Sequence, residues 1–291
     1  MKSSATVGRL PPQPVGFEDR ITPLLSFLFM VALVPLAMYR LVQPLIIQTL
    51  GVDMTGIWPR TGLTILGATV LLLIGLVVLY WEAVPLGSIG LSKRDALLGS
   101  GCFLSVVIVM NLFLWGAAVL FADGYKFALA GLTPITWIGL AIANWGFVGL
   151  AEELTARAYL QNKLIAILGA NGNLVHRAAG ILLMAVLFAV WHVPHRLFVA
   201  GMALSDLPGN LAMIFVIAVI FGIIYEVTRN VALVALVHGA WNFPPVFFSI
   251  HGSHSWQGGI FLVVIVSPFV VGIISYWLWI VNGEGSGLHP N

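Results

Sequence analysis

The chain has 291 residues, of which 60% are hydrophobic and 8% are charged, and its mean hydropathy is +1.02. Soluble domains average about 25% charged residues, so the composition excludes an ordinary soluble domain and indicates a polytopic membrane protein. The formal net charge is +2 and no cluster of Lys or Arg indicates a nucleic-acid partner. The single cysteine, Cys102, excludes an intrachain disulfide and a Cys-based metal cluster, and we expect it to be a packing residue.

Charged residues divide the sequence into uncharged stretches that are about as long as a membrane-spanning helix. Such a helix needs about 20 apolar residues to cross about 30 Å of hydrocarbon. Stretch 229–284 is too long for one crossing, and the polar, Gly-rich segment 249–259 divides it into two. Backbone in lipid must satisfy its own hydrogen bonds, so the spans are expected to be helices. The sequence therefore predicts an all-α fold of about eight transmembrane helices, six of them within 20–40, 60–82, 95–123, 126–152, 177–196 and 206–226.

The same boundaries divide the chain into four parts. We expect an N-terminal arm over 1–20, N-terminal transmembrane helices over 21–125, a helical core over 126–250, and a last transmembrane helix with a short tail over 251–291. The first apolar stretch lacks a convincing cleavage pattern and is interpreted as a permanent helix. Basic residues favour the cytoplasmic side. With the N-terminus inside, 9 of the 13 Lys and Arg residues fall in inner segments and 4 in outer ones, which predicts an integral multi-pass protein with both termini in the cytoplasm.

A few strongly polar residues interrupt the apolar stretches of the core. Glu152 and Glu153 end the uncharged run that follows Lys126, and His192, His238 and Asn242 lie in two later stretches. An ionisable side chain within a bilayer costs roughly 2.5–3.5 kcal/mol on insertion scales, so it usually has a function. A carboxylate, two imidazoles and a carboxamide on three helices predict a water-activating site in a polar intramembrane cavity.

The spacing of these residues allows them to meet. Good helix formers continue past Glu152 to the turn signal at 169–173, so a helical hairpin is predicted there. Glu152 lies 19 residues before Asn171 and His192 lies 21 residues after it, which places them level in an antiparallel hairpin. His238 lies about 9 residues, or roughly 13 Å, into the helix that follows Asn230. These depths can agree if part of the first hairpin protrudes from the membrane.

Helical periodicity separates a supporting residue from a cavity residue. Glu153 and Arg157 are i,i+4 neighbours and are predicted to form a structural ion pair, which leaves Glu152 for the cavity. His238 and Asn242 share the same spacing and present two hydrogen-bonding groups on one face. Phe188 stands four residues before His192 and is expected to form a wall of the cavity.

Three short motifs on separate predicted helices resemble the motifs of a known protein family. They are Glu152-Glu-Leu-Thr-Ala-Arg157, Phe188-Ala-Val-Trp-His192 and His238-Gly-Ala-Trp-Asn242, and in this order they resemble the motifs EExxxR, FxxxH and HxxxN of the CAAX protease and bacteriocin-processing (Abi) family. The best-studied members are type II CAAX prenyl endopeptidases. The resemblance covers about residues 130–250. It implies an intramembrane endopeptidase that cleaves a prenylated or otherwise hydrophobic peptide or protein near the membrane surface.

The resemblance also implies roles for the site residues. Glu152 with His192 would activate a water, and His238 with Asn242 would stabilise the oxyanion. Two His residues and a carboxylate could also bind zinc, and the ligands would then be Glu152, His192 and His238. The family is often labelled metalloprotease. No H-E-x-x-H helix is present, and an Asn suits hydrogen bonding better than zinc ligation. We therefore expect catalysis without a metal or other cofactor. His195 follows Pro194, a predicted helix end, and is expected to be interfacial.

Two other classes of function stay open at this point. The same polar residues could serve a non-catalytic bacteriocin-immunity or scaffolding protein, since His and Asn side chains also join helices in membranes. A transporter would also place polar residues at mid-depth, but the sequence lacks the internal repeats and broken helix pairs that many transporters show.

Overall fold

The computed structural model describes residues 16–121, 125–127, 129, 131–169 and 174–250. Helices form nearly all of this part of the chain. The predicted last transmembrane helix and tail, 251–291, lie outside the described residues, as do residues 1–15 of the predicted arm and residues 170–173 of the predicted turn.

The described helices follow one another with short connections, and some contain π-helical segments. The first helix, α1 (Ile21–Leu50), contains a π segment at Met38–Val42. The fourth, α4 (Pro134–Ile167), contains two, at Ile142–Val148 and Leu154–Gln161. Strands β1 (Tyr125–Phe127) and β2 (Phe248–Ile250) form one short antiparallel pair. The helices are α1 Ile21–Leu50, α2 Ile57–Trp81, α3 Lys93–Phe121, α4 Pro134–Ile167, α5 Leu174–Trp191, α6 Val193–Phe198, α7 Leu207–Thr228 and α8 Val231–Asn242.

The helical fold predicted from the sequence is confirmed. In the described part, six helical segments are long and apolar enough to cross a membrane: α1, α2, α4, α7, the segment Leu86–Leu112 and the segment Leu174–Phe198. Helix α8 is a shorter apolar helix. The outer surfaces of these helices carry large apolar side chains, as expected for contact with lipid. Examples with more than half of their surface exposed are Phe29, Leu73, Val77, Ile108, Val109, Val190 and Val216.

Two predicted spans have different bounds in the structure. Helix α1 continues through Arg40 and ends at Leu50, where Gly51 takes a left-handed conformation with φ +61°. The span expected from residue 126 begins only at Pro134, since residues 125–127 form β1. Thr133 caps the start of α4 by accepting a hydrogen bond from the Thr136 N–H. The predicted continuation of this helix beyond Glu152 is confirmed, since α4 runs to Ile167.

Charged residues that mark predicted span boundaries are buried in ion pairs. Lys163 Nζ lies 2.6 Å from Oε1 of Glu82, with both side chains fully buried, and Tyr159 Oη donates to the same carboxylate. Glu226 pairs with Arg177 at 2.9 Å and also with Arg229. Glu82 directly follows α2 and Arg229 directly follows α7. Because the pairs are buried, these charges join the end of α2 to α4 and join α7 to α5 inside the protein.

Helix α8 lies at the centre of the bundle, against α3, α4 and α7. Close approach of α8 to α4 depends on two glycines. A Cβ on Gly149 would clash with the carbonyl oxygen of Ala235, and a Cβ on Gly239 would lie 2.5 Å from the backbone of Asn144 and Trp145. Small residues let helix backbones approach closely in membranes. These contacts place residues 152 and 153 beside residue 238.

Candidate active site

Glu152 lies on the short α-helical turn Gly149–Glu153, between the two π segments of α4. Its carboxylate faces two imidazoles from other helices. Oε2 lies 3.9 Å from Nε2 of His192, which connects α5 to α6, and 3.6 Å from Nε2 of His238 on α8. The side chain is only 15% exposed, and Oε2 accepts no hydrogen bond from the described residues. The three predicted helices therefore bring these groups together.

The orientation of His192 follows from its hydrogen bond. Nδ1 lies 2.8 Å from the carbonyl oxygen of Phe188, one turn earlier on α5. A carbonyl only accepts, so Nδ1 carries the proton and donates it. Nε2 of the neutral ring is then an acceptor, and it faces Glu152. Phe188 packs against the ring at 4.6 Å between centroids. It does not line the cavity described below, so its predicted place in the cavity wall is wrong, and it supports His192 from behind instead.

A second carboxylate orients His238. Glu153 Oε1 lies 2.5 Å from Nδ1 of His238 and 2.8 Å from Nη1 of Arg157, and the Glu153 side chain is fully buried. The predicted Glu153–Arg157 ion pair is therefore present. Arg157 also lies over the Phe188 ring at 4.7 Å and donates to the carbonyl of Ala218. Because Nδ1 of His238 is engaged by Glu153, its Nε2 is the nitrogen left to face Glu152.

A cavity of about 310 Å³ opens in front of Glu152. Its polar side includes His192 and Asn242, so the Asn side chain predicted for the site lines the same space as the carboxylate. His195, which we expected to be interfacial, also lines it and packs edge-on against Tyr39 at 5.7 Å. Helices α1 and α2 contribute a mostly apolar part of the lining, in which Tyr39 and Thr64 carry the only hydroxyl groups from these two helices: Val34, Pro35, Met38, Tyr39, Leu63, Thr64, Gly67, Ala68 and Leu71.

Helix α1 is attached to the site by one specific hydrogen bond. Pro35 has no N–H, so the carbonyl of Val31 four residues earlier loses its usual helical partner. Trp191 Nε1 donates to this carbonyl at 2.9 Å. Trp191 directly precedes His192, so the bond fixes the apolar wall beside the catalytic candidate.

Sequence reasoning missed several residues of the cavity. Tyr39, Asn144 and Arg196 line it together with the predicted residues. Arg196 stands four residues after His192 and could have been found from that spacing. Tyr39 comes from α1, and no pattern in the sequence indicates that its helix packs beside α6.

The alternative zinc set requires three donor side chains placed around one ion. Among the residues that the structure describes, no group of three or more His, Cys, Asp or Glu side chains is placed to hold a metal ion. His238 Nδ1 is engaged by Glu153, which leaves one nitrogen of that ring toward Glu152. The zinc set of Glu152, His192 and His238 thus stays a prediction for chemical analysis.

These observations define an integral multi-pass membrane protein in which a largely buried carboxylate lines a cavity and lies within 4 Å of two imidazoles. One of the two, His238, does not itself line the cavity. Residues 134–244 match the model of the family described as "Rce1-like: Type II CAAX prenyl endopeptidase Rce1-like". The match confirms the resemblance given by the three motifs, and it spans all of them. A search of curated proteins and a search of solved structures found no match.

Proposed function

We propose that this protein is an intramembrane endopeptidase that hydrolyses a peptide bond near the membrane surface, in a prenylated or otherwise hydrophobic substrate. One observation carries the proposal. Glu152 and His192 line a cavity of about 310 Å³. Glu152 Oε2 lies 3.9 Å from Nε2 of His192 and 3.6 Å from Nε2 of His238, which lies behind the lining of the cavity. A cavity of this volume is large enough for a water, whose share of liquid volume is about 30 Å³, together with part of a peptide.

Glu152 is the proposed general base. A water held between Glu152 and His192 gives its proton to the carboxylate while its oxygen attacks the carbonyl carbon of the substrate. A C–O bond forms and the carbonyl π bond breaks, which leaves an oxyanion. The tetrahedral intermediate then collapses, the C–N bond breaks, and the protonated Glu152 gives its proton to the leaving amine. The products are one carboxylate and one amine.

His238 and Asn242 are the proposed donors to the oxyanion. Nδ1–H of His238 donates to Glu153. For Nε2 to donate as well, the ring must carry a proton on both nitrogens. Donors set in place within a water-poor cavity stabilise a developing oxyanion by several kcal/mol. Asn242 lines the same cavity and would supply an amide N–H.

The cavity also suits a substrate that is partly apolar. Glu152, His192 and Asn242 provide polar groups, and the part of the lining from α1 and α2 is mostly apolar, with the hydroxyl groups of Tyr39 and Thr64 as exceptions. An apolar chain on the substrate would bury its surface there at about 25 cal/mol per Å². This division supports a lipid-modified or hydrophobic peptide over a fully polar one.

The test is cleavage of a prenylated peptide and its unmodified form by the detergent-purified protein. Glu152→Gln keeps the size of the side chain but removes the base, and we expect cleavage to fall by about 10²-fold or more. Glu18→Gln is the matched control, since Glu18 is 60% exposed and pairs only at the surface with Arg20. Chelator treatment and metal analysis of the same preparation test the zinc alternative.

Two results would contradict the proposal. Cleavage that Glu152→Gln leaves unchanged would remove Glu152 from the chemistry. No cleavage of hydrophobic peptides by the wild type, together with full function of Glu152→Gln in cells, would favour a non-catalytic role.

A further inference from the structure

A second cavity, of about 410 Å³, lies beside the cavity in front of Glu152. Thr64 of α2 and Asn144 of α4 belong to the linings of both cavities. The second cavity lies at the start of α2, where Thr55 and Arg60 line it and are exposed. The shared residues therefore place the two cavities in one row, from the exposed start of α2 to Glu152.

One face of α4 lines both cavities. Every fourth residue of this helix from 140 to 152 belongs to one lining or to both: Leu140, Asn144, Val148 and Glu152. Residues four apart lie on the same face of a helix, so this face leads from the second cavity to the proposed base. Glu152 lies 8 residues after Asn144, which corresponds to about 12 Å at 1.5 Å per residue.

The part of the lining where the cavities meet is polar. Thr61 and Thr64 each donate the hydroxyl hydrogen to the backbone carbonyl four residues earlier, at 2.7 and 3.0 Å. Asn144 donates one amide hydrogen in the same way, at 2.9 Å. Each hydroxyl oxygen can still accept, and the Asn144 side chain keeps a carbonyl oxygen and a second N–H. A water in a cavity needs two to four polar partners, and apolar cavities stay dry, so these groups suit water.

Hydrolysis consumes one water in each turnover. A substrate bound in front of Glu152 occupies the cavity of about 310 Å³. The attacking water therefore needs a path that the substrate does not fill. The second cavity provides such a path, because it reaches the same space along α4 from the exposed start of α2.

We propose that water reaches Glu152 through the second cavity, from the end of the protein that carries residues 51–56, and that Thr64 and Asn144 bind this water where the two cavities meet. This inference rests on the proposed peptidase function and adds a binding site for the second reactant. Asn144 lies in the π segment Ile142–Val148, and such segments are often found at functional sites.

The first experiment measures solvent access with introduced cysteines. Thr64→Cys is combined with Cys102→Ala, which removes the single native thiol, and the protein in liposomes is treated with 2-sulfonatoethyl methanethiosulfonate, a small anion that does not cross lipid. The thiolate is the reactive form and forms poorly in hydrocarbon, so we expect Thr64→Cys to react at least about tenfold faster than the control Leu66→Cys. Leu66 lies two residues further on the same helix, is 43% exposed, and belongs to neither lining.

The side of entry is tested in vesicles of one orientation, with the reagent added to one face at a time. Thr55→Cys marks the face of residues 51–56, and Glu18→Cys marks the face at the other end of α1, since both positions are exposed. Reagent on the Thr55 face should label Thr64→Cys at least about tenfold faster than reagent on the Glu18 face.

The second experiment removes the polar groups between the cavities. Thr64→Val with Asn144→Leu keeps similar side-chain volumes but deletes the groups that would bind water. We expect kcat to fall about tenfold, which equals about 1.4 kcal/mol, and KM to stay unchanged, because the substrate is not contacted. Thr64→Ser keeps the hydroxyl and should keep the wild-type kcat. Thr64→Val alone, the smaller change, should lower kcat in the same direction.

A reporter beyond the meeting point tests the path itself. Val148 lines the cavity of Glu152 but not the second cavity, so Val148→Cys reports access to the candidate active site. Its labelling from the Thr55 face should fall about tenfold when Thr64→Val and Asn144→Leu are added.

Three results would overturn the proposal. If Thr64→Cys reacts no faster than Leu66→Cys, the second cavity is dry. Faster labelling from the Glu18 face would place the entry of water at the other end of the protein. An unchanged kcat together with unchanged labelling of Val148→Cys in the double variant would show that water arrives by another route.

Labelling separates failure of this inference from failure of the peptidase function, because it needs no catalysis. Fast labelling of Thr64→Cys and Val148→Cys in a protein that cleaves no peptide supports the water path and contradicts the peptidase function alone. Slow labelling at both positions, in a protein whose cleavage is abolished by Glu152→Gln, contradicts the water path alone.

Discussion

Glu152 and Glu153 are adjacent in sequence but have different surroundings. Glu153 is fully buried between Arg157 and His238, whereas Glu152 faces the cavity and is 15% exposed. The helical periodicity of 3.6 residues separates neighbours by about 100°, so one carboxylate supports the structure and the other can meet substrate. The i,i+4 spacing was sufficient to predict the pair with Arg157. The contact with His238 was not predictable, because it depends on how closely two distant helices approach.

The two glutamates should therefore differ in their effect on stability. Glu153→Gln removes the charge that offsets a fully buried Arg157, and breaking a buried pair in this way typically costs about 3–5 kcal/mol. It should also release His238 and lower activity. Glu152→Gln removes a poorly solvated carboxylate whose Oε2 accepts no hydrogen bond from the described residues, so it should leave stability unchanged or raise it. Thermal unfolding in detergent, followed by circular dichroism, measures both variants.

A similar loss of stability in Glu152→Gln and Glu153→Gln would contradict this division of roles. So would an unchanged midpoint in Glu153→Gln. Rescue by the double variant Glu153→Gln with Arg157→Met, in stability but not in activity, would further separate the structural pair from its effect on His238.

At the scale of elements, the site depends on backbone contact between α4 and α8. Gly149 lies three residues before Glu152 and packs against the carbonyl of Ala235. Both π segments of α4 flank this turn, and such segments are often found at functional sites. Their positions were not predictable, because a single extra residue in a helical turn leaves no periodic pattern in the sequence.

Gly149→Ala should separate the two helices. Its Cβ would meet backbone, which cannot rotate away, so we expect a loss of about 1–3 kcal/mol together with lower activity from a displaced His238. Gly146→Ala is a matched control on the same helix, since its Cβ would meet nothing within 4 Å. That change should be neutral or stabilise by up to about 1 kcal/mol. Unfolding midpoints and cleavage rates of the two variants provide the comparison, and equal effects would refute the close contact.

Hydropathy correctly predicted that these spans are helices, but it was less accurate about the residues at which they begin and end. Apolar stretches located α1, α2, α5 and α7, because lipid-facing residues need no partner and depend only on composition. Treating charges as boundaries placed the start of α4 too early and ended α1 too soon. Charged side chains such as Lys163 and Glu226 are buried in pairs, and pairing across helices depends on tertiary packing that sequence does not record.

At the scale of the whole molecule, the cavity combines two parts of the chain. Residues 134–244, which match the family model, contain Glu152, His192, His238 and Asn242. The apolar wall comes from α1 and α2, outside that match. The proposed catalytic residues could thus be named from the resemblance, while the residues of α1 and α2 that line the cavity could not. Cytoplasmic placement of both termini and the four-part division of the chain stay predictions.

The central claim is that Glu152 activates a water that attacks the substrate directly. Its most direct measurement is a single turnover in heavy-oxygen water, with enzyme in excess and products analysed by mass spectrometry. We predict that the label enters the new carboxylate of the peptide in the first turnover, and that Glu152→Gln forms no labelled product. Label found in the Glu152 side chain, or labelled product formed by Glu152→Gln at the wild-type rate, would contradict the account.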